Sequence, residues 1–293
     1  MHTRVDLSSL DGDRLDNEWL EAEAQHAEAW STSIGRAVPI NKLIAGYPLT
    51  ELTGWITYTE SVYLVLKGEL PDKRTLGMLD ACLTAIIDHG FRNTVATAAR
   101  FIVSANPDPL AGIAAGILGI GQHTAGAQKY VVEFIQEGLQ HCEANNMTPE
   151  EGAASFVELW LAKRGIIPGF GTKMHKQVGA DVRSLRLQEL SDKYGFSDHP
   201  SVQFYNLAHK AFEERRQRSV VVNVDGAMGA IFAAMGFDPL EVAGLEAVAM
   251  LPCLLGHTVE EIKQGNRMRL LPQSNVGYAG PPLRHLPAER NAK

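Results

Sequence analysis

No stretch of any length in this chain alternates apolar and polar residues as a half-buried strand would, while proline and glycine cut it into segments of helical spacing. Leu76, Leu79, Leu83 and Ile86 fall three to four apart ahead of Gly90, predicting a helix closed by His89, whose place in a last turn the helix dipole favours. Thr148-Pro149-Glu150-Glu151 reads as a cap, a first-turn proline and an acid three residues after the cap, opening a helix that runs to Arg164 and stops at Gly165. Thr59 and Glu60 open another helix, Asn93 to Ser104 a further one, and helices resume near Asp181, Ser201 and Pro239. Ser31 to Trp55 is a short extended or irregular lead-in, residues 1 to 30 a peripheral arm, and Asn266 to Lys293 a polar tail. The fold class predicted is all-α, and no period of 20 to 50 residues signals a solenoid.

With 293 residues the chain has length for one large or two modest domains. Its net charge of −7 argues against nucleic acid as a partner, since phosphate binding rests on concentrated cations. No run of ~18 uncharged apolar residues appears, so no membrane span is expected. The acidic, polar start lacks the apolar core of a secretory signal. Cys82, Cys142 and Cys253, odd in number and far apart, fit a reducing cytoplasm.

Chemistry concentrates in Ser219 to Phe237. The run Val220-Val221-Val222 suits a buried extended segment, and the Ala/Met/Gly-rich part after Gly226 suits a close-packed helix. Asp225 sits at the junction, where apolar neighbours raise a carboxyl's pKa as a general base requires; the alternative is a plain helix cap. Leu110 to Ala127 is dominated by Gly and Ala, which lets helix backbones approach closely, in this chain or in a second subunit. The loop Ile166 to His175 contains Pro168-Gly169-Phe170-Gly171. Gly116, Gly119 and Gly121 have the wrong order for a dinucleotide fingerprint, and Gly171-Thr172-Lys173 reverses the phosphate-loop order. The histidines make no metal-spaced set, and no metal is expected.

Taken in order, His89, the segment His123-Thr124-Ala125-Gly126-Ala127, the Pro-Gly-Phe-Gly loop, Asp181-Val182-Arg183 and Asn223-Val224-Asp225-Gly226 resemble the citrate synthase superfamily. The likeness runs from about Ile34 to Pro282 and is nearest to the citryl-CoA lyase module that forms the C-terminal part of ATP-citrate lyase. It implies a two-domain helical fold, with a large domain from residues 1–122 and 229–293 and a small one, 123–228, inserted. It also implies an enzyme that makes or breaks a carbon–carbon bond next to an acyl-CoA thioester through an enol or enolate, as a lyase or acyltransferase. The other reading is a member that binds acyl-CoA without turnover, as a sensor or assembly partner.

Carried over by position, Asp225 is the base that removes or returns the α-proton, and His89 bonds the keto or hydroxyl oxygen. Arg183 holds a substrate carboxylate. Pro168, Gly169, Phe170 and Gly171 lie along coenzyme A, with Lys173 and Lys176 as cations for its phosphates. The family's histidines are replaced by Thr124 and Thr172; His123 and His175, one and three residues away, are the candidate substitutes. A carboxylate-binding arginine is replaced by Met250 and a basic residue by Leu271, with Arg269 the nearest cation. The resemblance implies coenzyme A or acyl-CoA as ligand and a homodimer or larger homo-oligomer paired through Leu110 to Ile120, and with no nucleotide-grasping segment in the sequence no ATP is expected.

Overall fold

In a computed structural model, residues 32–38, 41–171, 180–287 and 290 are described; the predicted arm of residues 1 to 30 and Thr172, Lys173, His175 and Lys176 lie outside them. The extended lead-in is a small antiparallel sheet of β1 (Gly35–Val38), β2 (Asn41–Ile44) and β3 (Tyr47–Pro48), with Gly35 opposite Ile44 and Leu43 opposite Pro48. The other regular elements among the described residues are helices, joined by loops and followed by an irregular tail. The helices are α1 (Leu49–Leu52), α2 (Tyr58–Lys67), α3 (Lys73–Ala85), α4 (Thr94–Ala105), α5 (Pro109–Leu118), α6 (Gln128–Ala144), α7 (Pro149–Arg164), α8 (Val182–Lys193), α9 (Pro200–Arg216), α10 (Val224–Ala234) and α11 (Pro239–Gln264).

Local chemistry sets most of the helix starts. Thr57 and Glu60 close a capping box on α2, Thr148 and Glu151 do the same on α7, and Asn93, Asp108 and Asp181 cap α4, α5 and α8. Two predicted boundaries differ: α2 is capped by Thr57 and starts at Tyr58, ahead of the predicted Thr59, and α3 ends at Ala85, so His89 lies in the loop beyond and not in the last turn.

The chain divides into two compact units, residues 1–88 with 121–250 and residues 89–120 with 251–293. The expected insert 123–228 lies wholly inside the first. That unit is built on an aromatic core in which Phe134 of α6 touches Phe156 and Trp160 of α7 and Phe204 and Tyr205 of α9. α10 packs on α6, α8 and α9.

In the second unit α5 packs on α4 through its glycine side. A side chain at Gly112 would meet Thr258 and Val103, and one at Gly116 would meet Leu254 at 2.2 Å, so these two glycines serve contacts within the unit. The opposite side of α5, Leu110, Ala114, Ile117 and Leu118, is exposed. Arg100 of α4 is buried and bonds Glu261 Oε2 at 2.6 Å, Glu260 and Gln264. The tail expected to be polar carries exposed Leu270, Leu271, Leu283 and Leu286.

Against the expectation of no membrane span, α11 is long and apolar enough to cross a bilayer by length and composition alone. Its buried residues fall on one stripe: Val242, Leu245, Glu246, Ala249, Met250, Leu254, Thr258 and Glu261. A stripe of that period, with acids in it, is how a core helix reads.

Candidate active site

The site in the first unit begins where the valine run meets the Pro-Gly-Phe-Gly loop. Gly171 N donates to Val221 O at 2.7 Å, Asn223 N donates to Gly169 O at 3.0 Å, and Phe170 bridges Val222. Gly169 has φ +81°, and a Cβ there would stand 2.2 Å from the Tyr205 hydroxyl and 2.4 Å from Gly226 Cα. Only glycine allows that approach. Tyr205 fixes the loop from α9 by donating to Pro168 O at 2.9 Å.

The run then turns into α10, and the cap is Asn223, whose Oδ1 accepts from Gly226 N at 3.0 Å. Asp225 is therefore released from capping. It lies in the first turn of α10, partly buried, with Oδ1 sealed from solvent and without a hydrogen-bond partner among the described residues. Burial lifts its pKa to about 6, the charge of Arg183 opposing the rise and that of Asp181 adding to it.

Asp181 ties the two helix starts together. Its Oδ2 accepts from Val224 N at 3.0 Å and from Arg183 Nη2 at 2.9 Å, and its Oδ1 accepts from Arg183 N and Nε, each at 3.1 Å. Burial works against the ionised form, but the Arg183 bonds and charge and the two backbone N–H groups outweigh it, so Asp181 stays below the usual carboxylate range. Arg183 is thus aimed by a buried carboxylate while remaining 30% exposed, and it lines a cavity of ≈ 500 Å³ with Asp80, Thr84, Arg186 and Tyr194.

Two buried polar residues in this neighbourhood escaped the sequence reading. Glu246 of α11 is 2% exposed, and its Oε1 accepts from Gln128 N at 3.1 Å, capping α6, whose own N-cap residue Ala127 offers no side-chain bond. Burial, then the charge of Asp225, pushes Glu246 up to about 8 against the pull of the Lys129 and Gln128 N–H groups. Gln128 is fully buried, and neither its Oε1 nor its Nε2 has a partner among the described residues. The signal for Glu246 was its place in the apolar stripe of α11.

The other sequence candidates sit elsewhere. His123 and Thr124 belong to a turn, not a helix, closed by the pair of bonds between Gly121 and Thr124 at 2.9 Å; His123 is exposed. His89 and Arg269 belong to the second unit. Both prongs of Arg269 engage Glu261, Nε to Oε1 at 2.5 Å and Nη2 to Oε2 at 3.0 Å. Among the described residues no group of His, Cys, Asp and Glu is placed to hold a metal ion.

A carboxylate that is dry on one side, has a raised pKa and lies close to an arginine can take a proton from carbon next to an anionic substrate. Residues 74–271 match the protein family described as citrate synthase, C-terminal domain. A citryl-CoA lyase structure from Hydrogenobacter thermophilus is 32% identical, with TM-score 0.80 over 90% of this chain and 100% of that one. An ATP citrate lyase from Methanothrix soehngenii, in complex with citrate and coenzyme A, shares the fold at 20% identity, with TM-score 0.70 over 90% of this chain and 44% of that one. The ATP-citrate synthase beta chain protein 2 of Arabidopsis thaliana is 29% identical over 222 residues, which are 68% of this chain and 34% of that protein. This chain thus spans about a third of the length of the curated relatives it matches. By fold and sequence match, the chain belongs to the citrate synthase family, among its citryl-CoA lyase-like members.

Proposed function

We propose that this chain makes or breaks a carbon–carbon bond next to an acyl-CoA thioester through an enol or enolate, with Asp225 as the base. The observation that carries the reading is Asp225 itself: freed from capping, sealed at Oδ1, and poised near pH 6 beside Arg183. Arg183 holds a substrate carboxylate, and Pro168 to Gly171, with Lys173 and Lys176, receive coenzyme A. His89 bonds the keto or hydroxyl oxygen. Nothing in this scheme calls for ATP or a metal.

The substrate carries fewer carboxylates than citryl-CoA. Met250 and Leu271 stand where the family's resemblance calls for cations, and the nearest substitute, Arg269, is engaged at both prongs by Glu261. An unpaired carboxylate in a dry site costs several kcal/mol, so a substrate missing one fits better. A cleavage assay offering citryl-CoA beside a monocarboxylate β-hydroxyacyl-CoA is the test. The monocarboxylate should be cleaved faster; faster cleavage of citryl-CoA would remove the substrate class and leave the reaction class. The second reading, acyl-CoA binding without turnover, is favoured by threonine at positions 124 and 172. Saturable binding with no cleavage of any thioester in the panel would select it.

The assembly proposed is a cytoplasmic homodimer or larger homo-oligomer. Since Gly112 and Gly116 are used within the unit, the pairing face is the exposed side of α5, with Leu110 and Leu118 at 73% and 86% exposure. Leu118→Asp should halve the mass seen by light scattering at micromolar concentration, whereas Gly116→Leu should instead lower stability by overpacking. An unchanged mass for the aspartate variant would move the interface elsewhere.

A further inference from the structure

The valine run that leads into Asp225 lies outside the sheet and meets the Pro-Gly-Phe-Gly loop at the isolated Phe170–Val222 bridge, so its backbone groups need further partners. On one side the loop supplies them: Gly171 N donates to Val221 O, Asn223 N donates to Gly169 O, and Asn223 Nδ2 donates to Gly171 O at 2.9 Å. On the other side the partners are side chains of α9. His209 Nε2 stands 2.6 Å from Val220 O and is the donor, since a carbonyl only accepts. Glu213, one helical turn on, accepts at Oε1 from Val220 N at 2.7 Å and from the Ser219 hydroxyl at 2.9 Å. Both backbone groups of Val220 are therefore held from α9. The Val220 N–H also lowers the Glu213 pKa, which keeps that carboxyl an acceptor.

The same face of α9 grips the loop. Tyr205, His209 and Phe212 follow one another at four- and three-residue steps, and their rings surround that of Phe170 at centroid distances of 5.0, 5.0 and 5.5 Å. His209 thus touches both segments, the run at Val220 O and the loop at Phe170. Asp225 is placed by other bonds, those of Asp181 to Val224 N and of Asn223 to Gly226 N. We infer that His209 is a positioning residue for the Pro168 to Gly171 loop, fixing Val220 together with Glu213 and Phe170 together with Tyr205 and Phe212, so that the loop stands in its binding form before a ligand arrives. The inference rests on the reading that this loop receives coenzyme A. A loop already held in that form has no ordering left to do on binding, so losing the clamp weakens the ligand and leaves the proton transfer alone.

Amide hydrogen exchange and calorimetric titration with coenzyme A, both on the full-length protein, test it together with steady-state kinetics. In His209→Leu the Gly171 and Asn223 amides should exchange ~10-fold faster, and the coenzyme A Kd and the KM of an acyl-CoA substrate should rise ~10-fold. The kcat and the acid limb near pH 6 should stay where they are. His209→Gln sets a carboxamide N–H where Nε2 stood and should restore most of the protection and the affinity. Glu213→Ala removes the other hold on Val220 from a partly exposed position and should act in the same direction, which keeps the test open if the leucine variant does not fold. Unchanged exchange at Gly171 and Asn223 in a folded variant overturns the role, and so does faster exchange with unchanged coenzyme A affinity, or a fall in kcat with KM unmoved. No coenzyme A binding by the parent would sink the proposed ligand, and the exchange rates would still decide whether His209 sets the loop.

Discussion

Asp225→Asn should lower turnover of an acyl-CoA substrate by ~10²-fold or more while coenzyme A affinity changes little. The amide preserves shape and removes the proton acceptor, and the cap of α10 survives because Asn223 supplies it. In the unmodified protein the rate should fall as the pH drops through about 6, where Asp225 takes up its proton. The same substitution should raise stability. Its folded pKa lies above the ordinary 3.8, so the folded state binds more protons than the unfolded one between 3.8 and about 6, and stability declines as pH rises through that window. At pH 7 the asparagine variant escapes that loss and should be more stable by ~1–2 kcal/mol, a gain in stability at the expense of function. Chemical denaturation at pH 7 and steady-state kinetics check the two halves; near-normal turnover would make Asp225 a structural residue.

Arg183→Leu should produce the second largest effect, in both stability and substrate binding. It leaves Asp181 buried with its Val224 and residue-183 N–H donors but without a counter-charge, which should destabilise the fold by ~3 kcal/mol, the low end for a broken buried pair because Arg183 is partly exposed. The sign with pH is opposite to that of Asp225. Asp181 has a depressed folded pKa, so the stability it supplies is present above its unfolded value and lost as pH falls through the folded one. The difference between variant and parent should therefore be full at pH 7 and shrink in acid. Loss of Arg183 also removes the charge that holds Asp225 down, so the acid limb of the rate profile should move upward. A variant as stable as the parent at pH 7 would mean that Asp181 needs only its backbone donors.

Much of this architecture is legible in the chain because helix starts are encoded locally. Thr148 with Glu151 and the caps Asn93 and Asp181 each satisfy backbone donors within three residues, so sequence alone locates them, while on α2 the sequence pointed to Thr59 and the cap is Thr57, two residues earlier. The line from Val220 through Asp225 to its place on a close-packed helix is local in the same way. Its cap, however, is Asn223 and not Asp225 two positions on, and the donor beside it, Val224 N, goes to Asp181 from 43 positions away, a bond that sequence does not show.

Glu246 and Gln128 are hidden in the sequence for a related reason. They look like surface residues until α6 and α11 meet, and the bond between them spans 118 positions. Arg269 shows the reverse case: a cation that sequence offers to a substrate is engaged by Glu261, a residue whose burial only the packing of α11 reveals.

The central claim is that Asp225 moves a proton at the carbon next to a CoA thioester. Exchange of the methyl protons of acetyl-CoA into D₂O, followed by proton NMR with the full-length protein, tests it most directly. The parent should exchange them well above the buffer rate, with an acid limb near pH 6, and Asp225→Asn should exchange them ~10²-fold more slowly. Binding of acetyl-CoA with no exchange above buffer in the parent, or equal exchange in the variant, would contradict it.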